Sequence, residues 1–136
     1  MKKILSIGYS SSAFNVATFL LRVTFGALMF FNHGLVKLNK FSEMQNAFFD
    51  PFHIGHKFSF ILVLFSEVVC AILLVIGLCT RIAAFVLFVE MLIVVFLFHK
   101  GQPIAEFEIA ILHLSVYFSL LLIGPGKISV DGARGK

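Results

Sequence analysis

The sequence contains four apolar segments, each close to the length that a helix needs to cross a bilayer. They cover residues 13–37, 58–78, 81–99 and 105–123. A spanning helix requires about 20 predominantly apolar residues, and each segment meets that requirement. The backbone in lipid must satisfy its own hydrogen bonds, and these segments lack the alternation that is typical of a β-barrel. We therefore predict four transmembrane helices.

Composition supports a membrane protein. Of the 136 residues, 60% are hydrophobic and 13% are charged, and a soluble domain of this length cannot bury so much apolar surface. We predict an all-α integral membrane four-helix transmembrane bundle, with residues 1–136 forming one domain in the lipid bilayer. The net charge of +4 comes from scattered basic residues. Since they form no basic run, we expect no nucleic-acid partner.

The linker 38–57 is the one long connection between the predicted spans. Its large apolar residues fall at helical spacing on one side: Phe41, Met44, Phe48, Phe49 and Phe52. This pattern predicts a short interfacial helix between helices 1 and 2, ended by Asp50 and Pro51. The segment either anchors the chain at the membrane surface or covers a cavity as a lid.

Basic residues outside the spans indicate the orientation. One side of the predicted bundle carries six of them, namely Lys2, Lys3, Arg81, Lys127, Arg134 and Lys136. The other side carries four, namely Lys37, Lys40, Lys57 and Lys100. The positive-inside rule then places both termini in the cytoplasm. The N-terminus begins like a signal peptide, but the apolar run that follows is too long and contains Arg22, so we expect no cleavage.

Each predicted helix carries one ionisable residue near its midpoint. At a rise of about 1.5 Å per residue, Arg22 lies within about 5 Å of the midplane, and Glu67, Glu90 and His113 within about 2 Å. A charged residue at the centre of a helix costs about 2.5–3.5 kcal/mol on insertion scales, so these side chains are expected to face inward and meet. We predict that Arg22 pairs with Glu67, because a guanidinium grips a carboxylate with two hydrogen bonds. One arginine opposite two carboxyls also predicts a shared proton, although Glu90 could instead meet a partner protein.

A second polar layer is predicted nearer the outer face. His33 and Glu106 lie about 12 Å outward of the midplane by the same helical rise. Their helices would then face each other across a polar slot, in which Gly26 leaves room. The candidates for a ligand-binding site or buried polar network are Arg22, His33, Lys37, Glu67, Glu90, Glu106, His113 and Tyr117. Such residues either hold a small molecule, quinone or proton, fix the helix register, or recognise a partner helix.

No metal site or thiol chemistry is predicted. The histidines and carboxylates lack the spacing of a known metal motif. Cys70 and Cys79 are nine residues apart, and the rise of about 13 Å along one helix is too long for a disulfide. We interpret both cysteines as small packing residues.

Four stretches of the sequence together resemble the DoxX family. They read "LLRVTFGALMFFNHGLVKL", "DPFHIGHKFSF", "FSEVVCAILLVIGLCTR" and "EFEIAILHLSVYFSLLLIGPGKISVDG", and the resemblance covers residues 16–132. The signature positions that it implies are Arg22, Gly26, His33, Gly34, Lys37, Glu67, Gly77, Thr80, Arg81, Glu106, Gly124, Gly126 and Asp131. Glu90 and His113 follow from the depth argument alone.

The resemblance implies a four-helix protein of the bacterial inner membrane. Some family members resemble the small subunit of thiosulfate:quinone oxidoreductase, and others are described as membrane partners of sulfurtransferase and superoxide dismutase in oxidative-stress defence. We therefore expect a subunit of a redox-linked complex that binds a quinone or similar apolar molecule near the Arg22–Glu67 pair, or that anchors a soluble redox partner. The alternative is a non-catalytic scaffold or a transporter-like binder of lipid or small solute. No complete catalytic set is visible, and a homodimer is expected because homo-oligomers are common.

Overall fold

A computed structural model describes residues 4–135 of the protein, and the regular secondary structure of this part of the chain is helical, without strands. Four helices are long and apolar enough to cross a membrane: α1 (Ser11–Asn39), α3 (His56–Ile76), α4 (Thr80–Phe98) and α5 (Ile104–Ile123). Two short helices are α2 (Phe41–Met44) and α6 (Val130–Ala133). The predicted fold class is confirmed, and each long helix begins and ends within two residues of its predicted span. Of the basic residues used for orientation, Lys2, Lys3 and Lys136 lie outside the described residues.

The first and second long helices are held together by two glycines of α1. A Cβ atom added at Gly34 would lie 2.6 Å from the backbone oxygen of Glu67 on α3. One added at Gly26 would lie 2.7 Å from Cγ2 of Val75 and 3.0 Å from the backbone oxygen of Ala71. Small residues at a membrane helix interface let two backbones approach closely. The space that Gly26 was expected to leave as a slot is therefore occupied by α3.

Two wide π-helical turns meet at this contact. They cover Phe30–Gly34 in α1 and Phe65–Cys70 in α3, and a third covers Val94–Phe98 at the end of α4. Single π turns inside α-helices are frequent at functional sites. Each π turn changes the direction in which the neighbouring side chains point, compared with a regular α-helix. Both turns lie at the level where the backbones of α1 and α3 touch.

The apolar core lies between α3, α4 and α5, with one contribution from α1. Its small and medium-sized side chains include Ala71, Ala84 and Leu87, and the larger ones include Tyr117 and Leu120, all fully buried. Most other large apolar side chains are on the outside of the bundle, where lipid rather than water covers them. We use "terminal end" for the end of the bundle where α1 begins and α5 ends.

The linker between α1 and α3 packs across the opposite end of the bundle. The ring of Phe60, fully buried on α3, lies 5.5 Å from the ring of Phe41 and 5.0 Å from that of Phe48. Asp50 closes the following turn, because its carboxylate accepts hydrogen bonds from the amides of Ile54 and Gly55 at 3.0 and 2.8 Å. The helix in this linker has four residues and ends before Asp50.

The α1–α3 contact makes a prediction about Gly34. The Gly34→Ala variant should unfold more readily by about 1–3 kcal/mol, since the added methyl group meets backbone rather than a flexible side chain. Unfolding in mixed micelles measures the difference. Gly8→Ala is the control, because the nearest atom to its added Cβ is 3.8 Å away. Equal stability of the two variants would contradict the close approach of α1 and α3.

Candidate functional site

Arg22 lies at the terminal end of the bundle and binds the C-terminal segment. Its Nη1 donates a hydrogen bond to the backbone oxygen of Pro125 at 2.9 Å, and its Nη2 donates one to the backbone oxygen of Ile128 at 2.8 Å. The arginine is 1% exposed. Two backbone carbonyls thus bind the two terminal nitrogens of the guanidinium, while its buried Nε has no hydrogen-bond partner within the described residues. We call Arg22 and residues 124–133 the terminal latch.

Asp131 fixes the same segment to the turn between α3 and α4. Its two carboxylate oxygens accept hydrogen bonds from the amides of Cys79 at 3.0 Å and Thr80 at 2.9 Å, and its own amide donates to the backbone oxygen of Gly77 at 2.9 Å. The carboxylate therefore caps the first turn of α4, where amides lack helical partners. Partial burial alone raises the pKa of the Asp131 carboxyl, but the hydrogen bonds from Thr80 and Cys79 outweigh burial, so its pKa lies below the ordinary value.

The predicted pairing of Arg22 with Glu67 is wrong. The prediction placed the middle of the bilayer at the centre of segment 13–37, but the structure sets Gly34 against Glu67. The residue of α1 that lies opposite Glu67 is therefore nine residues beyond the predicted midpoint, which corresponds to about 13 Å at the helical rise. Arg22 consequently reaches Gly77 at the end of α3. The first turns of α1 contact the C-terminal segment instead, as shown by the Lys127 amide donating to Asn15 Oδ1 at 3.0 Å.

Glu67 pairs with Lys37. The Nζ atom of Lys37 lies 3.0 Å from Oε1 and 2.9 Å from Oε2 of Glu67, and the two side chains are 18% and 5% exposed. Lys37 therefore turns into the bundle rather than flanking the membrane at the end of α1. It supplies the positive charge that was expected from Arg22.

Glu90 lies next to this ion pair. Ser66 Oγ donates a hydrogen bond to Oε2 of Glu90 and also lies 2.9 Å from the backbone oxygen of Val63. The carboxyl of Glu67 is the nearest acidic neighbour of Glu90. The shared proton predicted for these two carboxyls stays a prediction. Ser66 was missed in the sequence, although a serine beside a glutamate in an apolar segment is a usable signal.

His113, on α5, lies close to the other residues of this polar group. It is 4% exposed, its Nδ1 lies 2.9 Å from the backbone oxygen of Ile109, and its ring lies 6.2 Å from that of His33. A carbonyl partner requires the hydrogen on Nδ1, which leaves Nε2 of a neutral ring as an acceptor. Tyr117, one turn further, donates to the backbone oxygen of Phe25 at 3.3 Å. We call His33, Lys37, Ser66, Glu67, Glu90 and His113 the polar cluster.

Two buried atoms of the polar cluster have neither a hydrogen-bond partner nor an ion-pair partner within the described residues. They are Glu90 Oε1 and His113 Nε2, whereas Glu67 Oε2 lies 2.9 Å from Nζ of Lys37. Buried polar atoms in proteins normally have a partner. Because both atoms belong to one cluster with a buried ion pair, the cluster is a candidate place for a proton or a polar group of a ligand.

Glu106 does not belong to the polar cluster. It is exposed in the first turn of α5, at the end of the bundle opposite the terminal end. The predicted layer of His33 and Glu106 is therefore wrong, for the same reason as the Arg22 pairing: the shift of α1 moves His33 to the level of His113. A single displacement of α1 explains both corrections.

The two cysteines differ in their surroundings, and only Cys70 packs inside the bundle as the sequence analysis expected of both. Cys70 is buried on α3, Cys79 is exposed in the following turn, and both are free thiols. Among the described residues there is no group of three histidine, cysteine, aspartate or glutamate side chains suited to a metal ion.

Four long apolar helices around a buried group of charged residues define a multi-pass helical membrane protein. The DoxX family model matches residues 17–100. Since this is more than half of the 136 residues, the chain belongs to the DoxX family. The match includes Arg22, Lys37, Glu67 and Glu90 and ends before α5. Neither the curated proteins nor the solved structures contain a match to this chain.

The ion pair makes a prediction about energetic coupling. Lys37→Met should destabilise the protein by about 3 kcal/mol, because it leaves the Glu67 carboxylate buried without its counter-charge. Adding Glu67→Leu should recover much of the loss. Arg22→Met combined with Glu67→Leu should instead be additive, because Arg22 binds backbone carbonyls. Two double-mutant cycles of unfolding measure this, and coupling in the Arg22 cycle but not the Lys37 cycle would overturn the assignment.

The terminal latch makes a prediction about pH. A carboxyl with a lowered pKa in the folded state stabilises the protein above its unfolded pKa of about 4, and this contribution is lost as the pH falls through the folded value. Asp131→Asn should lower stability at neutral pH by about 1 kcal/mol through loss of the charged cap. The difference from the parent protein should shrink below about pH 4. A difference that stays constant from neutral to acidic pH would contradict the role of the carboxylate.

Proposed function

We propose that the protein is a small subunit of a redox-linked complex and binds a quinone or similar apolar molecule at the polar cluster. The observation that carries this proposal is the pair of unpartnered buried atoms, Glu90 Oε1 and His113 Nε2, in one cluster with the Lys37–Glu67 ion pair. Ionisable residues inside a membrane commonly mark ligand or proton pathways. A quinone offers carbonyl acceptors, a hydroquinone offers hydroxyl donors, and the ring of either is apolar enough to reach the site through lipid.

The chemistry of the cluster suits both forms of the ligand. Interconversion of quinone and hydroquinone moves two electrons and two protons. Nε2 of His113 is an acceptor in the neutral ring and would receive a hydrogen bond from a hydroquinone hydroxyl. The proton that the sequence analysis predicts Glu67 and Glu90 to share would be donated to a quinone carbonyl. We assign the electrons to a soluble redox partner, for which the protein would be the membrane anchor.

His33 is the member of the cluster that a molecule from the bilayer would meet first. It is half-buried, whereas Glu67, Glu90 and His113 are 3%, 8% and 4% exposed. Phe25, which lies 5.1 Å from the ring of His113, is the other side chain of α1 over this position. Binding would therefore require a small movement of α1 relative to α5.

We also propose that the protein lies in the bacterial inner membrane with both termini in the cytoplasm. Lys37 forms a buried pair with Glu67 and no longer counts among the flanking basic residues. Without Lys37, the count made from the sequence becomes six flanking basic residues against three, namely Lys40, Lys57 and Lys100, which supports the orientation. A homodimer remains part of the proposal, since much apolar surface is exposed around the bundle.

A second candidate function is a non-catalytic scaffold or a binder of lipid or small solute. It is favoured by one observation: two grooves of about 520 and 600 Å³ lie at the ends of the bundle, away from the polar cluster. In this case the buried charges would fix the order and register of the helices. The two candidates differ in whether a quinone stabilises the protein.

Quinone binding is tested by thermal unfolding of the purified protein with and without added ubiquinone or menaquinone, and by extraction of any co-purified isoprenoid quinone. A ligand present at about 100 times its Kd stabilises by about 2.7 kcal/mol. We expect this stabilisation in the parent protein and its loss in His113→Leu, which removes the acceptor. Glu106→Gln is the control, because that glutamate is exposed and remote from the cluster. Absence of both bound quinone and a thermal shift would favour the scaffold.

A further inference from the structure

A groove at the terminal end carries two basic side chains without a counter-charge. It has a volume of about 600 Å³, and its walls are the start of α1, the end of α5 and the loop after it, with Arg81 and Lys127 in the lining. The pair formed by Lys37 and Glu67 is the one ion pair within residues 4–135, so neither basic side chain has a carboxylate within 4.0 Å there.

The position of Arg81 is set by Gly124. A Cβ added at Gly124 would lie 3.1 Å from Nη2 and 3.2 Å from Nε of Arg81, and the glycine has a φ of +84° that other residues rarely adopt. The guanidinium therefore rests against bare backbone at the end of α5. A planar guanidinium held in this way can present two parallel donors to one anion.

The loop carrying Lys127 is equally well held. Its amide donates to Asn15 Oδ1 at 3.0 Å, and the Arg22 guanidinium binds the carbonyls of Pro125 and Ile128 on either side. These two carbonyl oxygens are engaged inside the bundle. The Lys127 side chain, by contrast, is exposed at the groove.

The electrostatic surroundings favour an anion. Asp131 is the acidic residue at this end within residues 4–135, and both of its oxygens are engaged by the amides of Cys79 and Thr80. Arg134 lies near Asp131 and outside the groove lining. The groove therefore keeps an excess of positive charge that no side chain of the described chain neutralises.

The apolar part of the lining indicates that the anion comes from the bilayer. Ile123 is the last residue of the membrane-spanning helix α5 and is 39% exposed, and Phe14 lines the wall formed by α1. The groove thus begins where the apolar surface of the bundle ends. This is the depth at which lipid phosphates lie and basic residues attract anionic lipid.

We propose that this groove binds the phosphate of an anionic phospholipid, with Arg81 as the bidentate donor and Lys127 as the second positive charge. The acyl chains of the lipid would lie along α1 and α5. The bound lipid would thereby hold the terminal latch against the bundle. This proposal is independent of the redox function, because the groove and the polar cluster lie at different levels of the molecule.

The test is lipid retention by native mass spectrometry, together with thermal unfolding in vesicles of phosphatidylcholine with or without phosphatidylglycerol. We expect the parent protein to retain phosphatidylglycerol in preference to phosphatidylcholine and to melt at higher temperature when it is present. Arg81→Gln and Lys127→Gln should each weaken binding about five-fold, as expected for one basic residue at an anionic surface. Arg134→Gln is the matched control, with the same loss of charge at the same end but outside the groove lining.

Three outcomes would overturn the proposal. The first is no preference for phosphatidylglycerol, and the second is an equal loss in Arg134→Gln, which would indicate diffuse surface attraction. The third is an equal thermal shift with inorganic phosphate in detergent, which would indicate a free anion rather than a lipid. Lys127→Gln keeps the test valid if Arg81→Gln folds poorly, because the Lys127 side chain forms no contact within the bundle that the fold requires.

Discussion

The close contact between α1 and α3 at Gly34 and Glu67 determines where every charged residue of α1 lies. Because the Gly34 backbone touches the Glu67 backbone, Lys37 reaches the Glu67 carboxylate and Arg22 reaches the end of α3. A side chain at position 34 would separate the helices and remove the lysine from its partner. The buried ion pair, the histidine contact between α1 and α5, and the terminal latch all depend on this one register.

The protein buries its two positive charges in different ways. Arg22 lies at the end of the bundle, where the irregular chain after α5 offers free carbonyls to a guanidinium. Lys37 lies between α1 and α3 inside the bundle and pairs with the Glu67 carboxylate. This division separates an arginine held by the chain after α5 from a lysine that belongs to the polar cluster. It also explains why the proposed ligand site is placed at Lys37 and Glu67.

Hydropathy predicted the four helices and their bounds, because length and apolarity are properties of each segment alone. The depth argument grouped Glu67, Glu90 and His113, whose helices α3, α4 and α5 have 21, 19 and 20 residues, and the structure has these three residues in the polar cluster. It failed for Arg22, His33 and Glu106. Helix α1 has 29 residues, and its first turns contact the C-terminal segment. The carbonyl partners of Arg22 are backbone atoms about a hundred residues away, and no sequence pattern marks them.

The central claim is that Lys37, and not Arg22, faces Glu67 inside the bundle. Cysteine cross-linking in a chain lacking Cys70 and Cys79 tests it most directly, with one cysteine at position 67 and the other at position 37 or 22. The reagent should be too short to bridge about 15 Å, the helical rise of the ten residues between Glu67 and Gly77. The structure predicts that the 37–67 pair is joined in membranes and that the 22–67 pair is not. Cross-linking of 22 to 67 without cross-linking of 37 to 67 would contradict the α1 register and the site built on it.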